Sequence, residues 1–154
     1  MHDEGVPGVL AEAGQGRLQA NSSSATYDET GVGFYARNAT NSSYASTAAW
    51  SLAVELTFSS EVQVAQMLEA IVPLAEYVWT SEPATLGYKV MRRDNDPLTI
   101  VVLERYVDKD DAYLRVHRSS PPFLDFKGKL REWAPLVDGH SYNESMFLHV
   151  GPER

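Results

Sequence analysis

LTIVVLERYVDKDDAYLRVHRSSPPFLDF, residues 98–126, decides the fold of this chain because it joins a buried strand to two helix starts. Residues 98–106 are β-branched and aliphatic almost without interruption, which predicts a central strand with both faces covered. Acidic residues at 108–111 are expected to cap a short helix. Ser120 and the two prolines after it begin a further helix. This stretch therefore predicts one strand followed by a helical region.

The residues before this stretch predict a strand, a helix and a second strand. Apolar side chains alternate with small or polar ones over residues 50–58, which predicts a strand with one buried face. Apolar residues then recur at helical spacing over residues 64–78. Alternation resumes at residues 86–90, and the turn at residues 95–97 closes a hairpin with the strand at 98–106.

The residues after the stretch predict the end of the second helix and a last strand. Apolar side chains recur at helical spacing over residues 123–133, and Pro135 with the Asp138–Gly139 pair is expected to stop that helix. HSYNESMFLHV, residues 140–150, alternates again and predicts a strand that begins at His140. The complete order is the βαββαβ pattern of an α+β ferredoxin-like domain with an antiparallel sheet.

The first third of the chain differs from the rest in composition. Residues 1–48 are rich in Gly, Ala, Ser, Asn and Thr, so we expect a flexible N-terminal extension before a domain over 49–154. An alternative is that GVGFYA, residues 31–36, adds an edge strand or covers a pocket. Phe34 and Tyr35 would be its anchors.

The composition excludes several classes of function. The 154 residues include 21 acidic and 13 basic side chains, for a net charge of -8, and no cysteine. We therefore expect no nucleic-acid partner, no anionic membrane surface, no disulfide and no thiolate chemistry. Residues 1–10 lack the apolar core of a signal peptide, and no apolar run approaches the ~20 residues of a membrane helix. A cytoplasmic protein is the expectation.

Three short patterns follow one another between residues 81 and 126. They are Glu82-Pro83 with Tyr88, then Glu104 with Tyr106, then His117, Ser120 and Phe123. In this order and spacing, over about a hundred residues, they resemble the antibiotic biosynthesis monooxygenase family of the dimeric α+β barrel superfamily. The closing strand looks like that of fungal members. Ala84 stands where the family usually has Gly.

The resemblance implies a homodimer whose two sheets face one another, with a pocket between sheet and helices. Many members of the family oxidise aromatic polyketides with O2 and no bound cofactor, whereas others degrade haem or isomerise small molecules. Pro122 stands where many relatives have a second His, so haem is not expected. Because the fold does not decide the reaction, the candidate residues must do so. No cofactor is expected.

Two histidines are the candidate catalytic bases. Oxygenation without a cofactor needs removal of a substrate proton, stabilisation of the anion and exclusion of water. His117 and His140 have side chains that titrate near neutral pH. The alternative for His117 is a structural residue that bonds a backbone carbonyl. The alternative for His140, expected at the pocket rim, is an ordinary loop residue.

Six further residues are predicted to bind the substrate, and each has a structural alternative. They are Tyr88, Phe123, Phe126, Trp133, Tyr142 and Arg105. The aromatic stripe on the second helix is also typical of a core, and an Arg in this acidic chain is also expected in surface ion pairs. Arg118 shares that ambiguity. Glu104, among apolar strand neighbours, is expected to be paired or functional, and a structural pair is favoured.

Metal and nucleotide sites have little support, since the four His lack ligand spacing and GVGFYA lacks the third Gly of a phosphate loop.

The first functional hypothesis is a cofactor-independent monooxygenase of aromatic or polyketide-type molecules in secondary metabolism. A non-oxidative cyclase or isomerase could use the same pocket. A non-catalytic dimer module that binds a small molecule is the alternative from another class.

Overall fold

The computed structural model describes residues 25–34, 37 and 49–143. Its elements are β1 (Tyr27–Phe34), β2 (Trp50–Thr57), α1 (Glu61–Ser81), β3 (Thr85–Arg93), β4 (Thr99–Tyr106), a π-helical segment (Lys109–Val116), a 3-10 turn (His117–Ser119), α2 (Pro121–Trp133) and β5 (Leu136–Asn143). No helix among these residues is long and apolar enough to cross a membrane.

The strands form one antiparallel sheet in the order β1-β3-β4-β2-β5. β4 lies at the centre, as its nearly continuous apolar sequence predicts. The four strands β2 to β5 and the two helices have the ferredoxin-like βαββαβ order, so the predicted α+β fold is confirmed. The pairing of two such sheets into a dimeric barrel stays a prediction.

β1 is an edge strand that lies within the predicted flexible extension. It pairs with β3, and Gly33 lies opposite Lys89 after an irregularity in the register. Gly33 has φ +92, and a Cβ there would lie 2.0 Å from the carbonyl oxygen of Tyr88, so only glycine fits. Residues 27–34 are therefore part of the sheet, as in the edge-strand alternative. Tyr35 lies outside the described residues, and a domain boundary at residue 48 stays a prediction.

β5 begins at Leu136, four residues before the predicted start at His140. The Asp138–Gly139 pair, expected to be a helix stop, lies inside this strand. β5 pairs with β2 alone among the described strands, and its residues are exposed. At such an edge position little side-chain packing is lost when a residue is glycine, so Gly139 is tolerated in the strand. Residues 144–150 of the predicted strand lie outside the described residues.

Side-chain caps fix the starts of the helices as the sequence predicts. Ser60 Oγ accepts the backbone N–H of Gln63 at 3.3 Å, and Ser120 Oγ accepts that of Phe123 at 3.4 Å. Asp108 Oδ1 accepts backbone N–H groups at the start of the π-helical segment. These caps satisfy helix N–H groups that have no partner within the helix.

Both helices cover one face of the sheet, which we call the covered face. Met67, Ile71 and Leu74 of α1 are fully buried against Val90 and Ile100. No helix among the described residues covers the opposite face, which we call the open face.

Most of β4 is nevertheless buried on both sides, since Val101 on the open face is 2% exposed and Ile100 on the covered face is 0% exposed. The prediction of a central strand with both faces covered is therefore confirmed over most of its length, and Leu103, 36% exposed on the open face, is the exception.

Candidate active site

A cavity of about 580 Å³ lies between α2 and the covered face of the sheet. Its walls are mostly apolar and include Leu52, Val54, Val102, Phe123, Phe126 and Leu130. This volume lies within the ~300–1,000 Å³ of small-molecule sites in proteins. The predicted aromatic stripe on α2 therefore contributes to the core and to the cavity together.

The cavity is elongated along the strands. Leu52 at one end lies opposite Glu104 in the sheet, whereas Leu56 at the other end lies opposite Val137. Leu52 and Leu56 are four residues apart on one strand, which places the two ends about 13 Å apart. We call them the Glu104 end and the Val137 end.

α2 runs from the Glu104 end towards the Val137 end. The ring of Phe123, early in α2, lies 5.0 Å from that of His117, which lies 5.6 Å from the ring of Tyr106 next to Glu104. At the other end of the helix, the Trp133 ring lies 6.4 Å from that of Phe58, which follows β2. The position of a residue along α2 therefore gives its position along the cavity.

Glu104 is a buried carboxyl group on the cavity wall. The residue is 8% exposed, and its Oε2 accepts a hydrogen bond from the Tyr106 hydroxyl at 2.7 Å. Burial raises the pKa of Glu104, against the opposing effects of His117 and of the Tyr106 hydrogen bond. A carboxylate with a raised pKa is a stronger base than an exposed one, which suits proton abstraction near neutral pH.

Tyr88 lies opposite Glu104 on the neighbouring strand and also lines the cavity. It is fully buried, and burial, then the nearby Glu104, raises its pKa well above 10. The phenol therefore keeps its proton at neutral pH. It can donate a hydrogen bond but cannot act as a base there.

Tyr113 and Arg118 complete the Glu104 end of the cavity. The Arg118 guanidinium carbon lies 5.8 Å from the centre of the Tyr113 ring. Burial raises the pKa of Tyr113, Glu104 raises it further and Arg118 lowers it. Tyr113 is thus within electrostatic reach of both groups. An exposed cation and a buried carboxylate are therefore available at the same end.

His117 lies behind this end of the cavity and does not line it. It is fully buried, and its Nδ1 lies 2.9 Å from Oε2 of Glu82, which also accepts the Thr85 hydroxyl at 3.1 Å. Its Nε2 has no hydrogen-bond partner among the described residues. The partner of His117 is thus a buried carboxylate and not the backbone carbonyl of the alternative hypothesis. Four rings surround it, those of Tyr88, Tyr106, Tyr113 and Phe123.

His140 lies on the open face and not at the rim of this cavity. It is opposite Ala53 in the sheet, is exposed, and its Nε2 lies 3.2 Å from Oδ2 of Asp138. With Tyr142, which is 58% exposed, it lines a depression of about 510 Å³ on the open face. The alternation of β5 explains the difference, because His140 and Tyr142 share the face opposite that of Val137.

Two other predicted substrate-binding residues also lie outside this cavity. Arg105 follows Glu104 on β4 and lines a separate cavity of about 260 Å³ that includes Tyr142. Trp133 is partly buried and packs against the core near Phe58. Of the eight predicted site residues, Tyr88, Phe123 and Phe126 line the cavity.

Sequence reasoning assigned Glu104 to a structural pair, left Arg118 ambiguous and missed Tyr113. The available signal for Glu104 was a carboxylate inside an apolar strand, which is costly without a function or a partner.

In residues 25–34, 37 and 49–143, no three His, Asp or Glu side chains converge as a metal site requires.

The chain has a ferredoxin-like sheet with an apolar cavity beneath its second helix. These features define a small α+β protein with a site large enough for a small-molecule ligand. Residues 52–129, more than half of the chain, match the family model for antibiotic biosynthesis monooxygenases. The chain belongs to the antibiotic biosynthesis monooxygenase family, and the predicted resemblance is confirmed. No curated protein matches the chain.

Solved structures share this fold at low sequence identity. SnoaB, a cofactor-independent oxygenase from Streptomyces nogalater, is 16% identical with a TM-score of 0.53, over 68% of this chain and 98% of that one. A conserved protein from Methanosarcina mazei is 18% identical with a TM-score of 0.57, over 64% and 95%. One from Bacteroides thetaiotaomicron is 14% identical with a TM-score of 0.55, over 64% and 99%. These likenesses show the common fold.

Proposed function

We propose that this chain is a cofactor-independent monooxygenase that oxidises an aromatic or polyketide-type small molecule in secondary metabolism. The observation that carries the proposal is the buried carboxyl of Glu104, with its raised pKa, on the wall of an apolar cavity. Membership of the family supports the oxidative reaction. The cytoplasm stays the expected location.

The proposed reaction starts with transfer of a proton from an acidified CH2 carbon of the substrate to Glu104. The carbanion, delocalised as an enolate or phenolate, gives its electrons to O2 and forms a C–O bond. Return of the proton and loss of water from the peroxide then leave a carbonyl group. One oxygen atom stays in the product and the other leaves as water, so the substrate supplies all the electrons.

The surroundings of Glu104 suit each part of this reaction. The mostly apolar walls limit the contact of the developing anion with water. The Tyr88 phenol and the Arg118 guanidinium, at the same end of the cavity, can stabilise the developing oxyanion. Phe123 and Phe126 supply aromatic surface for a planar substrate.

We propose His117 as a positioning residue and not as the base that touches the substrate. It bonds Glu82 and packs against the ring of Tyr106, whose hydroxyl donates a hydrogen bond to Glu104. His140, on the open face, has no proposed part in proton transfer.

We also propose that the open face pairs with a second copy of the chain, as the family resemblance implies. Leu103 and Tyr142 expose 36% and 58% of their surfaces on this face. Burial of such apolar area favours association.

Oxygen uptake tests the proposed reaction. Anthrone, a three-ring ketone with an acidic central CH2, serves as the probe, and uptake is measured against the spontaneous rate. We expect one O2 consumed per anthraquinone formed, with no hydrogen peroxide released. A rearranged product without oxygen uptake would instead indicate the cyclase or isomerase. Binding of anthrone in the cavity with no conversion would favour the non-catalytic module.

A further inference from the structure

Two cations of α2 line the cavity beyond its Glu104 end. Lys127 and Arg131 are four residues apart on α2, which places them on the same face of the helix, and both line the cavity. Because α2 runs away from Glu104, Lys127 lies near the middle of the cavity and Arg131 lies at its Val137 end.

These cations have no acidic partner among the described residues. Neighbouring cations do, since Lys129 on the same helix lies 2.9 Å from Asp125, and Arg115 pairs with Asp111. No ion pair of the described residues includes Lys127 or Arg131. Arg118 at the Glu104 end is likewise in no ion pair of the described residues, so the cavity wall holds three cations without an acidic partner there.

We infer that Lys127 and Arg131 bind an anionic group of the substrate, a carboxylate or a phosphate ester, at the end of an elongated aromatic body. This inference rests on the proposed function for the reacting end at Glu104. The two ends are about 13 Å apart, which corresponds to about three fused rings with the anionic group at one tip. The guanidinium of Arg131 suits the two oxygens of such a group.

The charge arrangement also fixes the direction of the substrate. At the Glu104 end an anionic tip would meet the carboxylate of Glu104 as well as Arg118, whereas no carboxylate lines the cavity beside Lys127 and Arg131, so the tip is favoured there. The carbon to be oxidised is thereby presented to Glu104. A fixed orientation of this kind raises the rate of the chemical step.

The helix dipole explains only part of this arrangement. Arg131 lies in the last turn of α2, where the dipole favours a cation. Lys127 lies a full turn earlier, beyond the range of that effect, and faces the same cavity.

A binding comparison with matched probes tests the inference. The probes are anthracene-2-carboxylate, its uncharged amide and anthracen-2-yl phosphate, followed by their fluorescence at low salt. We expect the anions to bind about tenfold more tightly than the amide, with a preference that falls as salt rises. The tighter of the two anions identifies the source of the anionic group. Equal affinity for the amide and both anions would overturn the inference.

Substitutions test whether Lys127 and Arg131 cause the preference for anionic probes. The double variant Lys127→Gln with Arg131→Gln is expected to lose this preference, while its affinity for the uncharged amide stays the same. Lys129→Gln, on the same helix but paired with Asp125 and outside the cavity wall, is the matched control and should keep it. Equal loss in the control would show a general effect of charge and overturn the assignment.

The binding titrations and the oxygen-uptake assay distinguish a failure of the anion site from a failure of the proposed function. The titrations need no turnover, so a preference for anions without oxidation of any probe would count against the proposed function alone. Oxidation of anthrone without an anion preference would retain the function and reject the anion site.

Discussion

The two faces of the sheet use ionisable side chains in different ways. On the covered face, Glu104, Glu82 and His117 are buried among aromatic rings, and burial raises the pKa of Glu104. On the open face, Glu55 accepts a hydrogen bond from the Tyr27 hydroxyl, and His140 bonds Asp138 in solvent. Ionisable side chains on the two sides of one sheet thus have opposite environments.

This difference separates chemistry from assembly in the same sheet. Charges in a poorly solvated environment interact strongly, whereas exposed pairs are screened and contribute little. We therefore place catalysis on the covered face and association on the open face. Each prediction below perturbs one of the two faces.

The largest effect is expected for His117→Ala. It leaves the buried carboxylate of Glu82 without its imidazole partner, which costs about 3–5 kcal/mol for a buried pair. Urea denaturation measures the free energy of unfolding. His140→Ala, which removes an exposed pair from the open face, should cost below about 0.5 kcal/mol. Equal losses for the two variants would contradict the distinction between the faces.

A charge on the open face should disrupt the dimer. Leu103 lies on the central strand β4 with its side chain on this face, and Leu103→Glu would place two carboxylates in the proposed interface. We expect dimer dissociation to become easier by about 3 kcal/mol, or a hundredfold in the dissociation constant. Sedimentation velocity measures it. A monomeric wild-type protein at micromolar concentration would reject the dimer.

The pH dependence should follow Glu104. Its raised pKa means that the base becomes deprotonated only as the pH passes that value, so the rate of oxygen uptake should rise, by up to about tenfold per unit below it. The contribution of Glu104 to the free energy of unfolding changes with pH in the opposite direction. This contribution is greatest below the pKa of Glu104 in the unfolded state and is lost as the pH rises through its pKa in the folded state. Glu104→Gln should remove both dependences, and their persistence would assign them to another group.

A modest loss of stability is expected from a substitution at the edge of the covered face. Arg37 donates to the carbonyls of Thr85 and Val78 at 3.0 Å each, and its guanidinium lies 5.0 and 4.7 Å from the ring centres of Phe34 and Trp79. Arg37→Gln should therefore lower the free energy of unfolding by about 1 kcal/mol. An unchanged value would show that these contacts add nothing to stability.

The sequence predicts the sheet and helices well because period-two and helical patterns are strong between residues 50 and 133. Its edge strands are harder to predict. β5 includes Asp138 and Gly139, which are typical of turns, and an edge strand tolerates them because it has one partner to satisfy. β1 has two Gly among its eight residues, and its pairing depends on the close approach of Gly33 to β3.

The site was only partly predictable from the sequence. Alternation shows that His140 and Tyr142 share a face, but it does not show which face the helices cover. His140 was expected at the rim of the pocket, whereas the structure places it on the open face. The shape of the cavity is required to recognise Glu104 as a candidate base, because the sequence alone does not distinguish a buried carboxylate in a structural pair from a buried base.

The most direct test compares the rates of oxygen uptake for Glu104→Gln and Glu55→Gln with the same aromatic substrate. Both variants replace a carboxylate by an isosteric amide on adjacent strands, one on the covered face and one on the open face. We predict a loss of at least a hundredfold for Glu104→Gln and a change within about threefold for Glu55→Gln. A full rate in Glu104→Gln with a lost rate in Glu55→Gln would place the chemistry on the open face and contradict the account.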